Sequence, residues 1–235
     1  MSRSFAMLLS DTSRSRAYLD SIHRAGLEPE LVIFINCRGT VSAAAERFES
    51  SFFENRYPVD EMCRRLGFKV RTLEVDSIND AAVLSHVEAL EADHLVYSGP
   101  PGALLGKALL ATGKCFIHVH PGKLPAYRGS TTMYYSLLAE NSLSATAMYL
   151  SPEIDCGELV AERSFRPPED GSAMDNEFDP WMRASLLVEV LQRLVTEGHL
   201  AGRPQPQTNE LPYYVIHPVL KHLTILQTGS GEQAP

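Results

Sequence analysis

Residues 31–35 read Leu31-Val32-Ile33-Phe34-Ile35. Five consecutive apolar side chains suit a short strand covered on both faces, as the centre of a parallel sheet requires. Phe5 to Leu9 is a second buried-strand pattern on the amino-terminal side. Lys69 to Val75, His94 to Tyr97 and Cys115 to Val119 follow as a third, fourth and fifth. Helical segments separate them. The polar cluster Ser10-Asp11-Thr12-Ser13 caps a helix from about Arg14 to Arg24, which Gly26 ends. Another covers Val59 to Leu66 and stops at Gly67. Asn79 or Asp80 caps a third, whose Val83, Leu84, Val87 and Leu90 form one apolar face. This β-α-β-α order predicts an α/β domain: an open, mostly parallel sheet with helices on both faces. In such sheets a ligand binds beyond the carboxyl ends of the strands. The loops to inspect are therefore Ser10 to Ser13, Asn36 to Gly39, Ser98 to Gly102 and His118 to Gly129.

The second half changes character. A helix is predicted from Ser130 to Leu138, then a hairpin-like pair, Ala145 to Leu150 and Glu158 to Phe165, joined by Ser151 to Gly157. Arg166 to Asp179 is acidic and contains prolines, the pattern of a long surface loop. Asp179-Pro180 opens a helix with an apolar stripe at Leu187, Val190, Leu191 and Leu194. Gly202 to Pro212 reads as a linker, and Tyr213 to Ile225 as a strand or short helix packing back. The resulting division is a catalytic domain over 1–200, a returning segment over 201–226 and a disordered tail over 227–235.

Composition narrows the partners. The 235 residues are 44% hydrophobic and 21% charged, which fits one large globular domain and excludes disorder as the main state. No apolar run approaches the roughly 20 residues of a membrane helix, and no secretory leader is visible, so a cytoplasmic protein is expected. There are 29 acidic against 21 basic residues, a formal net charge of -8. That balance speaks against nucleic acid as a partner, because phosphate contacts need Lys and Arg. Cys37, Cys63, Cys115 and Cys156 form no CxxC pair, so zinc ribbons and thioredoxin-like centres are excluded and reduced thiols expected, with Cys37 and Cys115 as core residues.

The densest chemistry lies in Phe116-Ile-His-Val-His-Pro-Gly-Lys-Leu-Pro-Ala-Tyr-Arg-Gly129. His118 and His120 are two apart at a strand end and point to the same side. Pro121, Pro125 and Gly129 then stop regular structure. Two imidazoles at the carboxyl edge of a sheet mark a site.

His118 to Gly129 resembles the formyltransferase signature Asn-x-His-Pro-Ser-Leu-Leu-Pro-x-Tyr-x-Gly. Ile154-Asp155-Cys156-Gly157, followed by a strand, resembles that superfamily's Asp-x-Gly. Leu95 to Leu105 is similar to its central strand and folate-contacting loop. The sequence is identified as a member of the 10-formyltetrahydrofolate-dependent superfamily, similar to the domain of glycinamide ribonucleotide, amino-sugar and methionyl-tRNA formyltransferases. The resemblance implies an open Rossmann-like formyltransferase fold and transfer of a formyl group from 10-formyltetrahydrofolate to an amine, without a metal. It implies that His120 moves the proton, that Asp155 orients the imidazole and raises its pKa, and that His118 donates to the oxyanion. It places the pterin against Gly99, Pro101, Gly102 and Leu104 on one loop, and Ser151 and Ile154 on the other.

Three positions depart from the signature. His118 replaces an Asn, Gly122-Lys123 replaces Ser-Leu, and Ser130-Thr131-Thr132 stands where many members have a proline-containing turn. The first leaves open a hydrolase of formyl-folate, or a folate-binding member with altered catalysis. His118, His120 and Asp155 also form a set that could hold Zn²⁺ for metal-dependent hydrolysis. For the acceptor, Arg14 and Arg128 could take a carboxylate or phosphate, and the charged cluster of Asp175, Glu177, Asp179 and Arg183 beside the last helix could hold a cationic amine through its carboxylates. Length and charge together favour a small-metabolite amine over tRNA, and a homodimer is allowed.

Overall fold

The structure, a computed structural model, describes residues 3–38, 47–206, 208 and 211–229. Gly39, the last residue of one candidate loop, lies outside them. The elements run β1 (Phe5–Leu9), α1 (Ser13–Arg24), β2 (Val32–Cys37), α2 (Val59–Leu66), β3 (Val70–Val75), α3 (Ala81–Glu88), β4 (His94–Ser98), α4 (Lys107–Leu110) and β5 (Cys115–His120). They continue with α5 (Thr132–Glu140), β6 (Leu143–Tyr149), β7 (Leu159–Phe165), α6 (Asp179–Glu197) and α7 (Pro218–Gly229). One seven-stranded sheet has the order β3-β2-β1-β4-β5-β6-β7. The first five strands are parallel, and β6 and β7 add antiparallel at the far edge.

The alternation within β1 explains the layers. Phe5, Met7 and Leu9 point into a core shared with α1 and α6, while Ala6 and Leu8 point into a second core with Val83 and Val87 of α3. Both faces of each central strand are buried, which is why the strands read as unbroken apolar runs. In α6 the stripe Leu187, Val190, Leu191 and Leu194 is fully buried, at about 1.5–3 kcal/mol of apolar burial per side chain. Among the described residues no helix is long and apolar enough to cross a membrane.

The chain leaves β1 in one direction and β4 in the other, so the topological switch lies between these neighbouring strands. A crevice opens at their carboxyl ends. The β1–α1 turn on one side is held by Thr12, whose Oγ1 accepts from the Ser15 N–H at 3.1 Å. Asp80 caps α3, while Asn79 instead spans to the Leu104 carbonyl and the Gly106 N–H.

Several expectations need correction. Residues 166–179 are not a plain surface loop: a 3₁₀ turn (Gly171–Ala173) and a π-helical turn (Met174–Phe178) occupy them, because Met174 and Phe178 insert into the core. The stretch after Gly202 is not a free linker, since Arg203 exchanges both backbone hydrogen bonds with Leu159. The tail expected from Gln227 begins inside α7, and residues 230–235 lie outside the described part. Cys63 is the buried thiol, which burial pushes up to about 12, while Cys37 and Cys115 are half-buried at the core's edge.

Candidate active site

A cavity of about 540 Å³ opens at the carboxyl ends of β1, β4 and β5. That volume lies in the range of small-ligand sites. One wall is the loop after β4, from Pro100 to Leu105, and another is the β6–β7 connection from Ser151 to Asp155. Leu104 (62% exposed) and Ile154 (48%) present apolar surface. Pro212 to Val215 close a third side, tied down because Tyr213 exchanges backbone hydrogen bonds with Arg128 and Ser130, stacks on Tyr127 and packs at a tilt against Tyr135. Gly129 sits at φ +107, and any Cβ there would collide with the Tyr213 backbone. Only glycine allows that crossing.

The two histidines of β5 share one face, as strand geometry requires, yet their atoms are held differently. His120 is 2% exposed. Its Nε2 lies 2.6 Å from the Tyr127 carbonyl and 3.1 Å from Thr132 Oγ1, whose hydroxyl donates to the Pro121 carbonyl at 2.8 Å. A carbonyl only accepts, so Nε2 carries the hydrogen and the neutral ring has its lone pair on Nδ1. Nδ1 lies 3.5 Å from Asp155 Oδ2, which accepts the Gly129 N–H at 2.8 Å. The Asp155 backbone is held at φ 54, in the left-handed region, and Gln205 Nε2 donates to its carbonyl at 2.9 Å. Burial pushes the His120 imidazole below its ordinary pKa; Asp155 and the Tyr127 carbonyl pull upward without overcoming it. Asp155 thus acts on the ring in the expected direction, raising its pKa, but burial leaves the net shift downward. Tyr127 and Thr132 hold the ring from its other nitrogen.

His118 is half-buried, with Nδ1 3.4 Å from the Tyr97 carbonyl. Burial, Arg14, Arg183 and His120 together hold its pKa well below the usual imidazole value. Arg14, at the start of α1, donates from Nε to Ser98 Oγ at 2.8 Å and from Nη2 to the Gly99 carbonyl at 2.9 Å. It therefore caps the end of β4 one residue beyond the carbonyl that His118 meets. Arg183 comes from α6, forks onto Asp179 with two bonds of 2.8 Å, and turns Nη1 toward the Val119 carbonyl at 3.4 Å. Burial opposes its charge, but Asp179, Tyr18 and Asp155 more than offset that and hold its pKa above the ordinary value.

The cavity brings together His118, His120, Asp155, Arg14, Pro101, Gly102, Leu104, Ser151 and Ile154. Gly99 stands behind it, where its carbonyl anchors Arg14. Arg128, Asp175 and Asp179 do not line it. Arg128 donates to Cys156 Sγ, Asp175 pairs with Tyr134 and Lys221 on the surface, and Asp179 is spent on Arg183. Tyr97, which the sequence did not single out, also lines the cavity, and so does Arg183, the one member of the charged cluster beside the last helix that reaches it. Among the described residues no group of three or more His, Cys, Asp or Glu side chains converges to hold a metal ion, so the His-x-His/Asp metal centre is not formed.

The sequence model described as formyl transferase matches residues 5–174. A methionyl-tRNA formyltransferase from Syntrophus aciditrophicus is 31% identical over 157 residues, covering 66% of this chain and 48% of the relative. The chain thus spans about half the length of the curated relatives it matches. In fold it is similar to glycinamide ribonucleotide transformylase 1 from Symbiobacterium toebii, with a TM-score of 0.61 at 18% identity over 88% of this chain and 96% of the other. It is also similar to an N-formyltransferase from Helicobacter canadensis in complex with folinic acid and dTDP-3-aminofucose, with a TM-score of 0.60 at 14% identity over 90% and 70%.

Proposed function

Because this chain belongs to the formyl transferase family, we propose that it transfers a formyl group from 10-formyltetrahydrofolate to the amine of a small metabolite, in the cytoplasm as part of one-carbon metabolism. The observation that carries this reading is His120. Its Nε2 is committed to a backbone carbonyl, and its lone pair at Nδ1 faces the Asp155 carboxylate at one end of the cavity. Formyl transfer is acyl transfer, so it needs a group to take the proton of the attacking amine and one to receive negative charge on oxygen. The Nδ1 lone pair takes that proton, and Asp155 stabilises the imidazolium that results. His120 then returns the proton to the nitrogen that leaves with the folate. A neutral imidazole at neutral pH, as its lowered pKa gives, is the form this task requires.

The donor would lie between the two walls of the cavity, with Pro101, Gly102 and Leu104 on one side and Ser151 and Ile154 on the other. The apolar Leu104 and Ile154 fit a flat ring, and exposed backbone fits its polar edge. The neighbour bound to folinic acid supports a folate donor. A small acceptor is supported by the net charge of -8, which disfavours a polyanion. The matched relatives whose names specify methionyl-tRNA keep tRNA as the competing acceptor.

The test replaces His120 with Ala and follows release of tetrahydrofolate from the formyl donor with a panel of amines. Loss of at least about a hundredfold in turnover is expected. Unchanged turnover refutes the assignment. Equal release with and without any amine would identify hydrolysis of the formyl-folate instead.

A further inference from the structure

His118 stands where the family places a side-chain amide, yet it does not supply the same donor. Its Nδ1 meets the Tyr97 carbonyl, an acceptor, so Nδ1 carries the hydrogen and Nε2 of the neutral ring has only a lone pair. The cations facing the ring are Arg14 and Arg183, with the His120 imidazole as a third titratable neighbour. They disfavour the imidazolium that would restore a donor at Nε2. A site for acyl transfer still needs a donor where oxygen becomes negative.

Arg14 has the free capacity. Two of its N–H groups are committed, to Ser98 Oγ and the Gly99 carbonyl, leaving three of the five a guanidinium carries. No carboxylate among the described residues pairs with it, although it lines the cavity beside His118. Arg183, the other guanidinium lining the cavity, is already engaged through Nε, Nη1 and Nη2. One turn along α1 from Arg14, the fully buried Tyr18 hydroxyl also lacks a partner. A half-buried guanidinium without an acid, held rigid by two neutral acceptors, is an open anion position.

We propose that Arg14 is a catalytic residue: its guanidinium, in place of the missing amide, holds the formyl oxygen while negative charge develops there, and His118 faces the cavity as a hydrogen-bond acceptor. The proposal rests on the formyl-transfer reading. The amine lone pair forms the new N–C bond, and the carbonyl π pair moves to the oxygen held by Arg14. The amine proton goes to His120 Nδ1. Collapse breaks the bond from carbon to the folate nitrogen, which takes that proton back. His118 Nε2 accepts a hydrogen bond from the incoming amine and so orients it.

The test is isotope-edited infrared spectroscopy on the intact protein with a stable, aromatic-ring 10-formyl folate analogue labelled with carbon-13 at the formyl carbon. The bound carbonyl stretch is expected at lower frequency than in solution, and the shift should stay constant from about pH 5 to pH 9, because a guanidinium does not titrate there. Arg14→Gln should lose the shift while still binding the analogue, and His118→Asn should keep it. Formyl transfer to hydroxylamine, a nucleophile with no anionic group, should fall about 10²- to 10³-fold in kcat in Arg14→Gln with KM little changed. A shift that disappears as pH rises through the imidazole range would assign the contact to His118 and overturn the proposal. So would an unchanged shift in Arg14→Gln, or an effect confined to the KM of anionic acceptors. Should that variant not fold, the pH series on the unmodified protein decides alone. An analogue that binds without any shift overturns the role of Arg14 only; failure to bind at all overturns the folate reading beneath it.

Discussion

Asp155→Asn is the most informative single change in the acid–base pair. The two side chains are 3% and 12% exposed, with Nδ1 and Oδ2 3.5 Å apart. A unit ion pair at about 4 Å is worth about 1 kcal/mol in water and about 4 kcal/mol near a protein surface. The imidazolium exists only after the amine proton has been taken, so removing its partner raises the barrier and spares the ground state. With both groups largely shielded, the upper part of that range applies, and kcat should fall about 10²- to 10³-fold. The fold should survive. Asn tolerates the left-handed backbone that Asp155 adopts at φ 54, and its amide oxygen can still accept the Gly129 N–H. A melting temperature within about 4 °C of the unmodified protein is expected, the equivalent of about 1 kcal/mol in a chain this size. The assay is steady-state release of tetrahydrofolate across a pH series. In the proposed mechanism His120 works as a neutral base, so kcat/KM is expected to rise with pH through its pKa and then stay flat. Without Asp155 the cation is less favoured, the pKa falls further, and the acid limb moves to lower pH while the plateau drops. A variant within threefold of the original kcat, or an acid limb displaced to higher pH, would refute the role given to the carboxylate.

Two further outcomes are expected. Gly122→Ser would put a Cβ 2.8 Å from Thr132 Oγ1, 2.9 Å from the Tyr127 carbonyl and 3.0 Å from His120 Nε2. Backbone must give way, at about 1–3 kcal/mol, and a melting curve read beside a roughly ten- to hundredfold lower kcat would register the loss of support at Nε2; no change in either measurement contradicts it. His94, His118 and His120 all have pKa values lowered on folding, each by burial first. The unfolded chain therefore binds more protons below about pH 6.5, and stability should be fully present above that pH and decline below it, by up to about 1.4 kcal/mol per pH unit for each group. Denaturant unfolding across pH 5 to 8, expected to lose part of this slope in His118→Gln, checks the sign.

The strand pattern was legible because buried parallel strands are uniform in chemistry: Leu31 to Ile35 and Phe5 to Leu9 could hardly be anything else at that length. The pairing of His118 with His120 was legible for a similar reason, since a two-residue spacing on a strand fixes a common face. What each nitrogen touches was not. The Tyr127 and Tyr97 carbonyls decide both tautomers, and a backbone carbonyl carries no residue-type signal. Arg183 lies 65 residues after His118, so its place in a charged cluster did not tell that it forks onto Asp179 or that it faces the cavity. Residues 166–179 misled through composition: acidic residues and prolines outnumber the apolar ones, but Met174 and Phe178 alone set where the segment packs.

The three departures from the formyltransferase signature have physical counterparts in one site. A serine at 122 would place its Cβ against the Thr132 hydroxyl, so Gly122 and Thr132 form a matched pair: the smaller residue makes room for the hydroxyl that meets His120 Nε2. Thr132 therefore does more than replace a turn residue, because it helps fix the tautomer that leaves Nδ1 basic. His118 differs in kind. An amide can bond to the Tyr97 carbonyl region through one group and still offer an N–H, whereas a neutral imidazole that donates at Nδ1 has nothing left to donate. In the proposed site the donor comes from another element, Arg14, which keeps three unused N–H groups and is fixed at the topological switch by the end of β4. The His120–Asp155 pair can remain in place while its surroundings are rebuilt, because strand β5 and the β6–β7 turn position it independently of α1.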